Sequence, residues 1–140
     1  MSSRARMAHL GPLFALALGA APLRAQPARD GDAPCAEAST QLELTGCWSD
    51  AAKHREAAAA ATYDSVRARL RGRERATTLR LVTQSRDAWR RARDLQCAAA
   101  RSLYGAGSAA PMVAARCRAA LADQWATWLR AEFLSDDDGK

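Results

Sequence analysis

The sequence has little histidine, no closely spaced pair of cysteines and no glycine-rich phosphate loop. Its 140 residues include two histidines, His9 and His54. Histidine is the commonest general base and a frequent metal ligand, so this chain has little from which to build a histidine relay or a multi-histidine metal site. A C-x-x-C redox motif is also absent from the sequence. These absences disfavour an enzyme, and we predict no catalytic residues, no metal site and no cofactor.

The sequence also lacks an apolar segment long enough to cross a bilayer. The apolar run near the N-terminus, Leu10–Leu18, is far shorter than the roughly 20 residues that a spanning helix needs. It follows two basic residues, Arg4 and Arg6, and leads into a stretch rich in alanine. This pattern predicts a secretory signal peptide over residues 1–25. We therefore expect a periplasmic or secreted protein that does not span the membrane.

Composition divides the remaining chain into three parts. Residues 26–34 contain prolines and glycine among charges, which predicts a flexible lead-in, and residues 135–140 form an acidic tail. One domain is expected between them, over residues 35–134. The formal charge of the whole chain is +6, and removal of three arginines with the signal peptide leaves about +3. Those arginines are Arg4, Arg6 and Arg24.

Four cysteines follow the predicted signal peptide. They are Cys35, Cys47, Cys97 and Cys117. In a small exported protein an even number of cysteines indicates disulfides rather than a metal or redox site. We expect two disulfides that staple a modest hydrophobic core.

Periodicity and breaking residues predict three helices. The first covers Thr40–Arg71 and ends before Gly72, and the second covers Glu74–Leu103 and ends at the Gly105–Ser108 break. Pro111 suits the first turn of the third helix. Thr40 and Glu43 have the spacing of an N-terminal capping box.

Two apolar stripes recur at helical spacing. One consists of Leu79, Val82, Trp89 and Ala92, and the other of Val113, Cys117, Leu121, Trp125, Trp128 and Leu129. Short connections between such helices predict an all-α, antiparallel three-helix bundle.

The cysteine positions leave two disulfide patterns open. Cys47 lies 25 residues before Gly72 and Cys97 lies 25 after it, so antiparallel helices would hold them at one height. Cys35 and Cys117 would lie near the same end of the bundle. The pairing Cys47–Cys97 with Cys35–Cys117 is favoured, because twelve helical steps would separate Cys35 from Cys47 by roughly 18 Å, beyond disulfide reach. The alternative, Cys35–Cys47 with Cys97–Cys117, requires the chain between Cys35 and Cys47 to fold back.

Several motifs carry a family resemblance. The first is the run Thr40-Gln41-Leu42-Glu43-Leu44-Thr45-Gly46-Cys47, which matches T-Q-x-E-[ML]-N-x-C except for Thr45. The others are Tyr63, the W-x-x-x-R-D-x-x-C set of Trp89, Arg93, Asp94 and Cys97, the Gly107-Ser108 pair, and Cys117 with Leu121 and Leu129. From Cys35 to about Leu129 the chain resembles the lysozyme-inhibitor LprI-like family of exported bacterial proteins. The resemblance implies an exported binding protein that inhibits a lysozyme-like glycosidase.

The chain departs from the family pattern at several motif positions. A D-x-x-L-N element before the tyrosine is replaced by Glu56, Ala59 and Ala60, and a glutamine is replaced by Arg86. In the last helix, L-T-x-x-R becomes Leu121, Ala122 and Trp125. The matches are strongest around the cysteines and the Trp-Arg-Asp cluster, so the resemblance supports the scaffold more than the activity.

The conspicuous aromatic and charged residues all have structural interpretations. Trp89 is expected in the core, with Arg93 over its ring or paired with a carboxylate, and Asp94 is expected to accept a hydrogen bond from a helix terminus. Trp125 and Trp128 are expected to pack together inside, with a partly exposed aromatic anchor as the alternative. Trp48 is expected to shield the disulfide end.

Five arginines surround the first reversal and form a candidate anion-binding site. They are Arg67, Arg69, Arg71, Arg73 and Arg75. A solvated helix tip is the simplest interpretation, but such a density of cations would attract anionic polymers. No aromatic residues are interleaved for base stacking, and with an export signal nucleic acid is not an expected physiological partner.

Two hypotheses therefore follow for the function. One is an inhibitor of a lysozyme-like glycosidase; many lysozymes are basic, so a basic inhibitor must overcome long-range repulsion. The other is an envelope module that binds an anionic polymer or another envelope protein through the arginine-rich tip.

Overall fold

The computed structural model describes residues 34–135, which form three α-helices. These are α1 over Gln41–Arg69, α2 over Ala76–Ser102 and α3 over Ala110–Phe133. A short 3-10 helix, Arg73–Arg75, lies between α1 and α2. The described part of the chain contains no β-strand. The predicted all-α fold with three helices and two disulfides is confirmed.

Two of the predicted segments fall largely outside the described residues. The signal peptide over 1–25 lies entirely outside them, as do most of the lead-in and nearly all of the acidic tail. Among the helices of residues 34–135, none combines the length and the hydropathy that crossing a membrane requires.

Helix α1 begins at the capping box predicted from the sequence. The Glu43 amide donates to Thr40 Oγ1 at 3.2 Å, and Glu43 Oε2 accepts from the Thr40 amide at 3.0 Å. The same carboxylate accepts from the Ser39 amide at 2.9 Å. Thr40 has extended backbone angles, so the chain changes direction immediately before the helix.

Glycines permit the two reversals. Gly72 has a φ of 133° and Gly105 a φ of 53°, both in the region that side chains with a Cβ avoid. The predicted reversal at Gly72 is therefore confirmed. Pro111 occupies the first turn of α3, where its missing N–H costs no helical hydrogen bond.

Helix α3 packs against both other helices, whereas α1 and α2 share few close backbone approaches. Small residues allow α1 and α3 to come close, because Ala52 and Ala59 on α1 and Ala119 and Ala122 on α3 are buried. The larger core residues include Val66 and Leu129, which are fully buried. Each such side chain contributes about 2 kcal/mol of hydrophobic stabilisation. The core therefore lies mainly along α3.

The favoured disulfide pairing is wrong, and the alternative is correct. Cys35 bonds to Cys47 with a Cα–Cα distance of 5.8 Å, and Cys97 bonds to Cys117 with a Cα–Cα distance of 5.5 Å. Helix α1 begins only at Gln41, so the preceding turn folds back and brings Cys35 beside Cys47. Equal height did not make Cys47 and Cys97 neighbours, because the backbone of α2 comes close to α3 and hardly approaches α1.

The predicted apolar stripes are correct for most positions but not for all. Val82, Trp125 and Leu129 are buried as expected. Ala92 is exposed, because the next residue, Arg93, turns into the protein instead. Trp128 is 39% exposed, so the expectation that it packs fully inside is also wrong.

Candidate functional site

An open cleft of about 220 Å³ lies between α1 and α2, where the backbones of these two helices do not come close together. We call it the α1–α2 cleft. Motif residues that match the family pattern line it, namely Tyr63, Trp89 and Arg93. Positions that depart from the pattern line it as well, namely Glu56, Ala59, Ala60, Arg86 and Trp125. Motif positions from three helices thus converge on one site, which makes this cleft the candidate functional site.

Arg93 is the buried charge at one end of the cleft. Its side chain is 9% exposed, and its Nη1 lies 3.1 Å from Glu56 Oε1. Its Nε and Nη2 donate to Asp94 Oδ1 at 3.0 and 2.8 Å. The guanidinium carbon also lies 5.0 Å from the centre of the Trp89 ring. Arg93 therefore both stacks on the tryptophan and pairs with carboxylates, the two alternatives expected for it.

Asp94 joins α2 to α3 through a second arginine. Arg118 Nη2 donates to Asp94 Oδ1 at 3.3 Å, and Arg118 Nε lies 3.8 Å from Glu56 Oε1. The hydrogen bond from Arg93, aided by that from Arg118, holds the pKa of Asp94 below its ordinary value. The donors are thus arginine side chains and not the helix terminus expected from the sequence.

The sequence analysis missed Arg118. The available signal was its position directly after Cys117, because a bond from Cys117 to Cys97 brings Arg118 toward Asp94. That signal depended on choosing the correct disulfide pairing.

Tyr63 forms the inner wall of the cleft and holds a third arginine. The tyrosine is buried, and its hydroxyl donates to Thr83 Oγ1 at 3.1 Å across the α1–α2 gap. The Arg86 guanidinium carbon lies 4.7 Å from the Tyr63 ring centre. Neither Arg86 nor its neighbour in the cleft, Arg90, forms an ion pair with any described residue.

The electrostatic balance of the lining is positive. Three arginines, Arg86, Arg90 and Arg93, face one glutamate, Glu56, which gives a formal charge of +2. Glu56 Oε1 is buried and, among described residues, receives no hydrogen bond of acceptable geometry despite its proximity to Arg93. The cleft thus combines spare cationic donors with one carboxylate that Arg93 already holds.

The first motif lies far from this cleft. Thr40, Gln41 and Glu43 are at the start of α1, and the 16 residues from Thr40 to Glu56 span roughly 24 Å of helix. Gln41 Nε2 donates to Thr45 Oγ1 at 3.3 Å. Hydrogen bonds from Ser39, its backbone amide above all, lower the pKa of Glu43. These three residues organise the helix N-terminus, and the structure does not bring them to the cleft.

The five arginines of the predicted anion site surround the α1–α2 reversal and are all exposed. Arg67 Nη1 lies 3.7 Å from Asp64, and Arg75 Nη1 donates to the Arg69 carbonyl at 3.0 Å. Arg69 Nη1 donates to the Leu134 carbonyl at 3.5 Å. Arg71 and Arg73, which flank Gly72, form no hydrogen bond or ion pair through their side chains within residues 34–135. We call this exposed surface the arginine tip.

The tryptophans occupy two different environments. Trp48 is buried beside Cys35 at the disulfide end, as expected. Trp125 stacks between Trp89, at 5.3 Å between ring centres, and Trp128, at 4.9 Å. The predicted packing of Trp125 with Trp128 is therefore correct, although Trp128 remains partly exposed.

The structure contains no obvious metal-binding cluster within the described range. In residues 34–135 no three His, Cys, Asp or Glu side chains are grouped closely enough to hold an ion. His54, the one histidine of this range, is exposed on α1.

Comparison with known families agrees with the motif analysis. The family model described as "Lysozyme inhibitor LprI" matches residues 32–129, which include both disulfides and the α1–α2 cleft. The chain has no significant match among curated proteins or solved structures. Because the matched span covers well over half of its length, the chain belongs to the lysozyme inhibitor LprI family.

Proposed function

We propose that this protein is an exported, non-enzymatic inhibitor of a lysozyme-like glycosidase. The observation that carries the proposal is the family match over residues 32–129. The two disulfides support a periplasmic or secreted location, because disulfides persist in oxidising compartments. The predicted signal peptide supports the same location from the sequence.

The arginine tip is the surface whose charge best suits such inhibition. The active sites of these glycosidases contain a pair of carboxylates that flank the scissile bond within the substrate-binding cleft. A cationic surface that reaches such a cleft can pair with these carboxylates. Arg71 and Arg73 provide two guanidinium groups with no partner among residues 34–135, and guanidinium pairs with carboxylate in a bidentate geometry.

This arrangement also answers the problem of like charge. A mature chain of about +3 is repelled by a basic lysozyme at long range. Repulsion of that kind slows association, whereas contacts within the cleft determine how long the complex lasts. Local pairing of arginines with the catalytic carboxylates therefore compensates for unfavourable net charge.

The direct test is turnover of a lysozyme on a cell-wall suspension in the presence of the purified, oxidised protein. We expect a dose-dependent decrease in turnover. We expect the double variant Arg71→Gln with Arg73→Gln to inhibit at least about tenfold more weakly, since hydrogen bonds to charged groups contribute strongly. The matched control is Arg80→Gln with Arg91→Gln, which removes two exposed arginines of α2. Unchanged turnover at large molar excess of the unmodified protein would overturn the proposal.

The exposure of Arg71 and Arg73, and their lack of a side-chain partner in the described part of the chain, also favour a second candidate function. In this alternative the arginine tip attaches the protein to an anionic envelope polymer or to another envelope protein, without inhibiting any glycosidase. A salt titration separates the two functions. Polymer binding through exposed charges weakens steeply with ionic strength, whereas pairs desolvated inside a glycosidase cleft are screened less.

A further inference from the structure

We propose that the α1–α2 cleft binds a small ligand through one carboxylate group. This site is separate from the arginine tip, and the proposal stands whether or not the protein inhibits a lysozyme. It rests on the charges and the fixed geometry within the cleft.

The charge balance selects an anion. Arg93 is already paired with Glu56 and Asp94, so it holds the cleft together and has little capacity for a ligand. Arg86 and Arg90 have no carboxylate partner among the described residues, and both line the cleft. These two guanidinium groups are the donors available to a carboxylate, which arginine recognises in a bidentate geometry.

The position of Arg86 is fixed before any ligand arrives. Its guanidinium lies 4.7 Å from the Tyr63 ring centre, and the tyrosine is fixed in turn by its hydrogen bond to Thr83. A stacked guanidinium keeps its N–H groups at the edge of the ring, so less conformational entropy is lost on binding. Ala59 and Ala60 line the facing side of the cleft with small side chains and leave room for the ligand.

Glu56 limits the site on the side of α1. Its Oε1 is buried and lies 3.1 Å from Arg93 Nη1, so Arg93 holds this oxygen and the ligand does not reach it. The ligand class is therefore a carboxylate on a small body, within a volume of about 220 Å³.

Carboxylated amino sugars and N-acylated amino acids both belong to this class, and three probes distinguish them. N-acetylmuramic acid and N-acetylglucosamine share a sugar ring, but only the first carries a carboxylate. N-acetylalanine carries the carboxylate without a sugar. Binding is followed by NMR through the indole N–H signals of Trp89 and Trp125, with Trp48 at the disulfide end as an internal reference.

We expect N-acetylmuramic acid or N-acetylalanine, or both, to shift the Trp89 and Trp125 signals in a saturable manner. N-acetylglucosamine should shift them far less at the same concentration. The tighter-binding carboxylate identifies a cell-wall sugar or a peptide as the source. If no carboxylate gives a saturable shift, or if N-acetylglucosamine binds as tightly as N-acetylmuramic acid, the proposal is wrong.

Single variants locate the site. Arg86→Gln and Arg90→Gln should each weaken carboxylate binding about tenfold, because each removes charge-assisted hydrogen bonds. Arg80→Gln, which removes an exposed arginine of α2 outside the cleft, should leave the affinity unchanged. Arg90 is exposed, so its variant keeps the fold and tests the site even if the Arg86 variant is unstable. Equal affinity of the Arg80 and Arg90 variants would overturn the assignment.

Discussion

Removal of the disulfide between α2 and α3 is expected to destabilise the protein severely. In the double variant Cys97→Ala with Cys117→Ala, the unfolded chain regains the freedom of a loop that the bond closes across 20 residues. The chain-entropy relation gives about 3 kcal/mol for such a loop. A domain of this size loses about 4–8 °C of melting temperature per kcal/mol, so we expect a decrease of roughly 12–24 °C.

The matched variant is Cys35→Ala with Cys47→Ala. Its loop spans 12 residues and predicts a similar entropic term. The bond, however, fastens only a short turn to the start of α1, and that turn can fray while the three helices remain packed. We therefore expect a smaller decrease in melting temperature than for the α2–α3 bond. Far-UV circular dichroism during heating measures both.

Peptide mapping under non-reducing conditions tests the pairing itself. Trypsin should release the peptide 30–53 with an internal disulfide, because it contains both Cys35 and Cys47. It should release 94–101 joined to 117–118. A species in which 30–53 is joined to 94–101 would refute the observed connectivity. A loss below about 1 kcal/mol for the α2–α3 variant would refute the entropic reasoning.

Three further perturbations test the contacts that position the site. Arg93→Met should cost about 2–3 kcal/mol, because it removes the nearer cation from buried Glu56 Oε1 and leaves only Arg118 Nε at 3.8 Å; urea denaturation measures this. Thr40→Ala should cost about 1 kcal/mol in the same assay by removing the acceptor of the capping box. Asp94 has a folded-state pKa below that of the unfolded chain, so its contribution to stability is present above about pH 4 and is lost as the pH falls. In the Asp94→Asn variant, the free energy of unfolding should therefore decrease less as the pH falls below about 4.

Conservative variants serve as controls for these measurements. Addition of Glu56→Gln to the Arg93 variant should recover part of the stability, and no recovery would show that the charge pair is not the cause. Thr40→Ser should retain the cap, so an equal loss in both Thr40 variants would contradict the capping interpretation. If the Asp94 variant loses as much unfolding free energy at low pH as the unmodified protein does, other carboxylates, such as Glu43, dominate this loss.

The helices could be predicted because their signals are local. Thr40 and Glu43 define one helix start, Gly72 marks a reversal, and Pro111 lies in the first turn of α3, all within a few residues of the boundary that each determines. The disulfide pairing depends instead on which helices are neighbours. Heights along the helix axes place Cys47 level with Cys97 but do not reveal that α3 is the helix against which α2 packs.

The candidate site was predictable only in part, for a related reason. Trp89, Arg93 and Tyr63 were recognised as motif residues, but their common location depends on the gap between α1 and α2. The helical spacing of apolar residues predicted that Ala92 lies in the core. The next residue, Arg93, is buried instead, because Glu56 and Asp94 neutralise its charge. Hydropathy patterns do not detect a cation that is buried by pairing across helices.

The observed connectivity also bears on how the protein matures. Each bond joins cysteines that are consecutive in the chain, the first with the second and the third with the fourth. A polypeptide that enters an oxidising compartment from its N-terminus exposes Cys35 and Cys47 while Cys97 is still 50 residues behind. On the proposed export route, sequential oxidation during translocation would therefore yield the native pairs directly, without a thiol-exchange step to correct the bonds.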